Sequence, residues 1–244
     1  MQIKELNWYS ERLNRHMPVK IYGHAGKPCL VIPSQNGKHN DFEGFGMVGA
    51  CSPWIESGRL QLFCVDTIDE ETVSCTWKNP RDRIEQHERW VQYLIQEVCP
   101  LLSQYGGGQK IMTMGCSMGA YHAGNLFFRF PDRFDMTICM SGVYDTDSFM
   151  NGYMDDLVYL NSPCHSLQNL PSDHPYMTLY QNSRMVFCVG QGAWEDELLA
   201  GTRRLDAVLK SKGIPAWVDY WGYDVNHDWN WWRKQAAYFL GELL

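Results

Sequence analysis

Residues 110–130 read KIMTMGCSMGAYHAGNLFFRF, and their pattern decides the fold. The opening KIMTM, residues 110–114, is a short apolar run that predicts a buried strand. From about Ser117 onward Ala120, Ala123 and Gly124 precede Leu126, Phe127 and Phe128, which predicts a helix to about residue 130 with a small-residue face that can approach a sheet closely. Gly115-Cys116-Ser117-Met118-Gly119 therefore spans a strand-to-helix turn. Such a turn holds its serine in a strained conformation and exposes the hydroxyl. A side chain on either flanking glycine would collide with neighbouring elements. The helix N-terminus then offers N–H groups and positive potential to a developing oxyanion. A pattern with three fixed positions recurs by chance in about one unrelated chain in ten of this length. The strand before it and the helix after it give the match its weight.

Outward from this turn the chain alternates. Strands are expected at 28–33, 60–65, 110–114, 135–140, 185–190 and 216–221, with helices at 83–102, 117–130, 197–212 and 230–243. Residues 2–9 and 17–24 alternate well enough for a hairpin. The stretch 34–49, rich in glycine, reads as an irregular loop, and 144–182, rich in Asp, Asn, Ser and Pro, as a lid-like insertion with short helices. This order predicts an α/β fold: one domain over 1–244, a mostly parallel sheet with helices on both faces, and an N-terminal antiparallel hairpin.

Composition narrows the partners. The 244 residues are 45% apolar and carry a formal charge of −7, which argues against nucleic acid or an anionic membrane and leaves neutral small molecules. The N-terminus carries charge from the start and shows no apolar leader, so a cytoplasmic location is expected, and no segment is apolar for long enough to span a bilayer. The cysteines number nine, none in a CxxC pair, and many lie in apolar runs. They read as buried thiols, not as a disulfide framework or a metal site. A homo-oligomer is left open.

A serine nucleophile needs a base and an acid, in the chain order serine, acid, histidine. His227 follows the strand 216–221 and precedes the last helix. Four other histidines precede Ser117, His165 and His174 fall in the irregular segment, and His122 lies close beyond the turn, where local packing is expected. The acid should follow the strand 185–190, where Glu195, Asp196 and Glu197 stand in a row. Asp196 suits a helix N-cap and Glu197 a first-turn position, which leaves Glu195 as the preferred acid and Asp196 as the alternative. The oxyanion would take one backbone N–H from Met118 and a second from Gln35, two residues beyond Pro33 in the loop after the strand 28–33. Trp77, Trp194, Trp229 and Trp231 either line an acyl or aryl pocket or fill the core.

With these residues placed, PCLVIPSQNG, GCSMGAYHAGNLFFRFPDRFD, the following SGVYD and GIPAWVDYWGYDVNHDWNWWRKQAAYFL carry a resemblance over nearly the whole chain. The chain resembles the esterase family of α/β hydrolases that includes the feruloyl esterases, S-formylglutathione hydrolase and the mycolyltransferases. Pro33-Ser34 stands where that family commonly has His-Gly. The resemblance implies the α/β-hydrolase fold, Ser117 and His227 as nucleophile and base, and backbone donors at Met118 and Gln35. It also implies a small-molecule ester substrate and no metal or organic cofactor. Acyl transfer by the same triad, or a silent binding protein on the same fold, are the alternatives.

Overall fold

The buried strands obey a period of two, and this builds a three-layered molecule. In the computed structural model, which describes all 244 residues, alternate side chains of one strand enter two different cores. Leu30 and Ile32 point to one and Cys29 and Val31 to the other; Phe63 and Val65 oppose Leu62 and Cys64 in the same way. Both faces are therefore covered, which is why these strands read as continuous apolar runs.

The sheet has eight strands in the order β1-β2-β4-β3-β5-β6-β7-β8. They are β1 (Ile3–Ser10), β2 (Arg15–Tyr22), β3 (Lys27–Ile32), β4 (Leu60–Val65), β5 (Ile111–Cys116), β6 (Phe134–Met140), β7 (Arg184–Val189) and β8 (Trp217–Tyr220). β1 and β2 form an antiparallel hairpin, β2 also runs antiparallel to β4, and every other pairing is parallel.

The loop expected at 34–49 instead contains α1 (Asp41–Gly44) and the start of α2 (Met47–Glu56). Gly46, Gly49 and Pro53 hide α2 from any propensity reading. Burial supplies what propensity lacks: Met47, Val48, Cys51 and Ile55 are all inside, in the same core as Trp232, Phe239 and Leu240. The helix expected at 83–102 is α3 (Pro80–Tyr93), a π turn at Leu94–Val98, and α4 (Cys99–Tyr105). Pro100 has no N–H and its ring crowds the carbonyl one turn back, so the wider π turn before it is the natural accommodation.

α5 (Met118–Arg129) follows β5 directly. The segment between β6 and β7 holds α6 (Asp147–Met150), α7 (Asp156–Leu160), α8 (Pro163–Gln168) and α9 (Pro175–Gln181). It is pinned to the body: the buried Arg83 guanidinium donates to the carbonyls of Thr72, Val73 and Phe149 at 2.8, 3.0 and 2.6 Å. Tyr121 Oη also donates to the Asn161 carbonyl at 2.7 Å. α10 (Asp196–Lys212) and α11 (Trp229–Leu243) complete the chain. No helix is long and apolar enough to cross a membrane.

Candidate active site

The connection order places the site. β3 lies between β4 and β5, so the chain leaves β3 toward one side of the sheet while β5 and its successors build the other. The carboxyl ends of β3 and β5 meet at this reversal, where α/β sheets leave a crevice. Ser117 stands after β5, and Pro33, Ser34 and Gln35 stand after β3.

Ser117 has φ 57° and ψ −127°, a strained conformation for a residue with a side chain. Its N–H donates to the Met140 carbonyl at 2.9 Å, which fixes the turn against the end of β6. Both flanking glycines are required by close approach. A Cβ on Gly115 would lie 2.2 Å from the Gly119 carbonyl oxygen, and one on Gly119 would lie 2.3 Å from that of Pro33. The absent side chain at Gly119 thus lets the loop after β3 rest on the start of α5. Neither the Gln35 nor the Met118 N–H donates to a carbonyl among the loop and cap hydrogen bonds. Both residues line the cleft that contains Ser117 and His227.

The Nε2 of His227 lies 2.9 Å from Ser117 Oγ. The His227 backbone N–H donates to the Ala193 carbonyl at 3.0 Å, and the Ala193 N–H donates to Asn226 Oδ1 at 2.8 Å. The loops after β7 and β8 are thereby stitched together. On the far side of the ring, Nδ1 faces Glu195 Oε2 at 3.5 Å. That is an electrostatic contact, not a formed hydrogen bond, and pairs of this kind tighten when a reacting group enters. Both atoms are buried and neither has another hydrogen-bond partner, so each is left for the other.

Glu195 is only 1% exposed. Its Oε1 accepts the Ser141 hydroxyl at 2.6 Å, and Ser141 Oγ accepts the Trp232 indole N–H at 3.3 Å. Trp232 also meets the His227 ring edge-on, with centroids 4.8 Å apart. Ser141 escaped the sequence reading. It lies in SGVYD after β6, and its unusual φ of 54° is set by tertiary packing, not by a local motif.

The N-cap expected at Asp196 requires a correction. The capping position of α10 is Glu195, whose side chain makes no cap hydrogen bond, and Asp196 is the first helical residue. The Asp196 carboxylate is exposed, away from the buried contact made by Glu195. The helix begins one residue earlier than its composition suggests because the turn from Gly192 to Glu195 closes first, with Glu195 N–H donating to the Gly192 carbonyl at 3.3 Å. The tryptophans are also elsewhere: Trp77 and Trp194 are 79% and 84% exposed, and Trp229 stacks on Phe45 with centroids 4.4 Å apart. None of the four borders the cleft at Ser117.

Cys116, the neighbour of Ser117, offers no rival nucleophile. Its thiol and those of Cys29 and Cys188 are fully buried, and burial raises them well above the ordinary thiol range.

The family model described as Putative esterase matches residues 10–242. The chain belongs to that family. By this membership it is a carboxylic ester hydrolase. No curated protein matches the esterase by sequence. Its fold is shared with a ferulic acid esterase (14% identity, TM-score 0.75, 100% of this chain and 99% of the other covered). It is shared equally with the S-formylglutathione hydrolase of Staphylococcus aureus (13%, 0.73, 99% and 96%). The S-formylglutathione hydrolase of Agrobacterium tumefaciens aligns as well (14%, 0.76, 98% and 93%).

Proposed function

We propose that the esterase works through a Ser117 acyl-enzyme. One observation carries this reading: Ser117 Oγ lies 2.9 Å from His227 Nε2, while the opposite ring nitrogen faces the buried Glu195 carboxylate. His227 takes the hydroxyl proton as Ser117 attacks the ester carbonyl. The imidazolium that forms is stabilised by Glu195. The oxyanion is received by the N–H groups of Met118 and Gln35. His227 returns the proton to the leaving alcohol, and water then repeats the sequence on the acyl-enzyme. The test is turnover of p-nitrophenyl acetate together with labelling by a fluorophosphonate. Wild type is expected to turn over the ester and to carry the label on Ser117, and Ser117→Ala to do neither. If wild type neither turns over the ester nor takes the label at Ser117, the proposal fails.

The cleft points to a substrate class. It encloses about 320 Å³ and is walled by Met118, Val143, Phe149 and Leu198, with Ser148 and Glu197 as polar members and no Lys or Arg. A carboxylate without a basic counterweight repels an anionic substrate at close range. Uncharged esters of modest size fit this lining. We expect a neutral p-nitrophenyl ester to exceed one of similar length ending in a carboxylate by about tenfold in kcat/KM. Glu197→Gln should narrow that gap through KM for the anionic ester. Equal turnover of the two esters by wild type would sink the charge argument.

A further inference from the structure

Gln35 is followed by Asn36, a residue with a side chain held at φ 60° in the loop after β3. Something must hold this conformation in place. The Asn36 N–H donates to Asp69 Oδ2 at 3.0 Å. The other oxygen of the same carboxylate, Oδ1, lies 2.9 Å from His122 Nε2. Asp69 and His122 are 2% and 1% exposed. His122 belongs to α5, the helix whose first N–H is that of Met118. One buried carboxylate therefore grips both segments that carry the candidate oxyanion donors.

The surroundings make the grip rigid. The Asp69 carbonyl accepts the N–H groups of Thr72 and Ser74 at 3.0 and 2.9 Å, and Ser74 Oγ accepts Gln35 Nε2 at 2.7 Å. One turn thus holds Gln35 by its side chain and Asn36 by its backbone. Behind it His87 stacks on His122 with centroids 5.3 Å apart. Burial pushes His87 down to about 3, so this second ring is a neutral wall at ordinary pH. Burial alone would raise the Asp69 carboxyl, but its contact with His122 and the hydrogen bond from the Asn36 N–H outweigh it and lower it.

We propose that Asp69 is a positioning residue for the oxyanion hole, fixing the separation of the Gln35 and Met118 N–H groups through Asn36 and His122. It touches no reacting atom. The inference rests on the acyl-enzyme reading of Ser117.

The test is steady-state turnover of p-nitrophenyl acetate by Asp69→Ala, with active sites counted by fluorophosphonate titration so that unfolded protein drops out. Losing one aligned oxyanion donor lowers kcat about 100-fold. KM should stay within about threefold, because ground-state binding does not use the hole. A trifluoromethyl ketone, which forms a tetrahedral adduct with the serine, should weaken by a similar factor to kcat. His122→Gln keeps the Asp69–Asn36 bond and removes the imidazole from the helix side. It should show a smaller loss in kcat with the same unchanged KM, and it serves where Asp69→Ala does not fold. Wild-type kcat per titrated site in both variants, or a loss lying wholly in KM, overturns the proposal. If wild type itself neither labels nor turns over, the underlying reading has failed instead.

Discussion

Glu195→Gln lowers kcat/KM for p-nitrophenyl acetate by about 10,000-fold, while Asp196→Asn leaves it within about threefold. The magnitude is that of a triad whose histidine is forced into the wrong tautomer. In Glu195→Gln the amide oxygen stays where Ser141 donates to Oε1 at 2.6 Å. The amide nitrogen is then left facing His227 Nδ1 and offers it a hydrogen. Nδ1 must accept, the ring proton moves to Nε2, and the nitrogen beside Ser117 Oγ is no longer a base. Asp196 is an exposed residue in the first turn of α10 and makes no contact with the imidazole nitrogens. Its charge acts on the site only through solvent, where screening leaves little. The paired measurement separates two adjacent carboxylates, and equal losses in the two variants would refute the assignment.

Gly119→Ala is expected to lower the thermal midpoint by about 6–12 °C, from a destabilisation of about 3 kcal/mol. The molecules that still fold should lose about 100- to 1,000-fold in kcat. The added methyl would sit 2.3 Å from the Pro33 carbonyl oxygen and 2.4 Å from that of Ile32. Both are backbone atoms, so no rotamer change relieves the contact. β3 is paired on both edges, with β4 and with β5, and resists the displacement. The freer part is the loop beyond it, which carries Gln35, and its outward shift opens the proposed oxyanion hole. Differential scanning calorimetry and kcat per titrated active site check the two halves separately. An unchanged midpoint together with full activity would show that the contact between the elbow and the loop after β3 is not required.

How far the site could be read from the chain depended on how local its causes are. The elbow is local: an apolar strand, two glycines around Ser117 and a helix with small residues on one face lie within about twenty positions. The chain order of serine, acid and histidine is equally visible because the parallel sheet presents its strand ends in a constrained sequence. α2 was hidden, since Gly46, Gly49 and Pro53 all speak against a helix and only burial beside α11 supports one. Ser141 and Trp232 escaped for the same reason. They converge on Glu195 from the ends of β6 and the start of α11, residues far apart in the chain. Asp69 meets His122 across 53 positions, and no period or motif links them.

The sequence by itself determined the layered α/β architecture and the strand-to-helix turn at Ser117. It also brought His227 forward as the histidine after the last strand. These follow from hydrophobic period, small residues and chain order, which are properties of neighbours. Only the tertiary structure distinguishes Glu195 from Asp196, by burying the first against His227 and exposing the second. Side by side, two carboxylates are equivalent to any local propensity. They become different only when one is turned inward beneath Ser141 and Trp232 and the other outward into water.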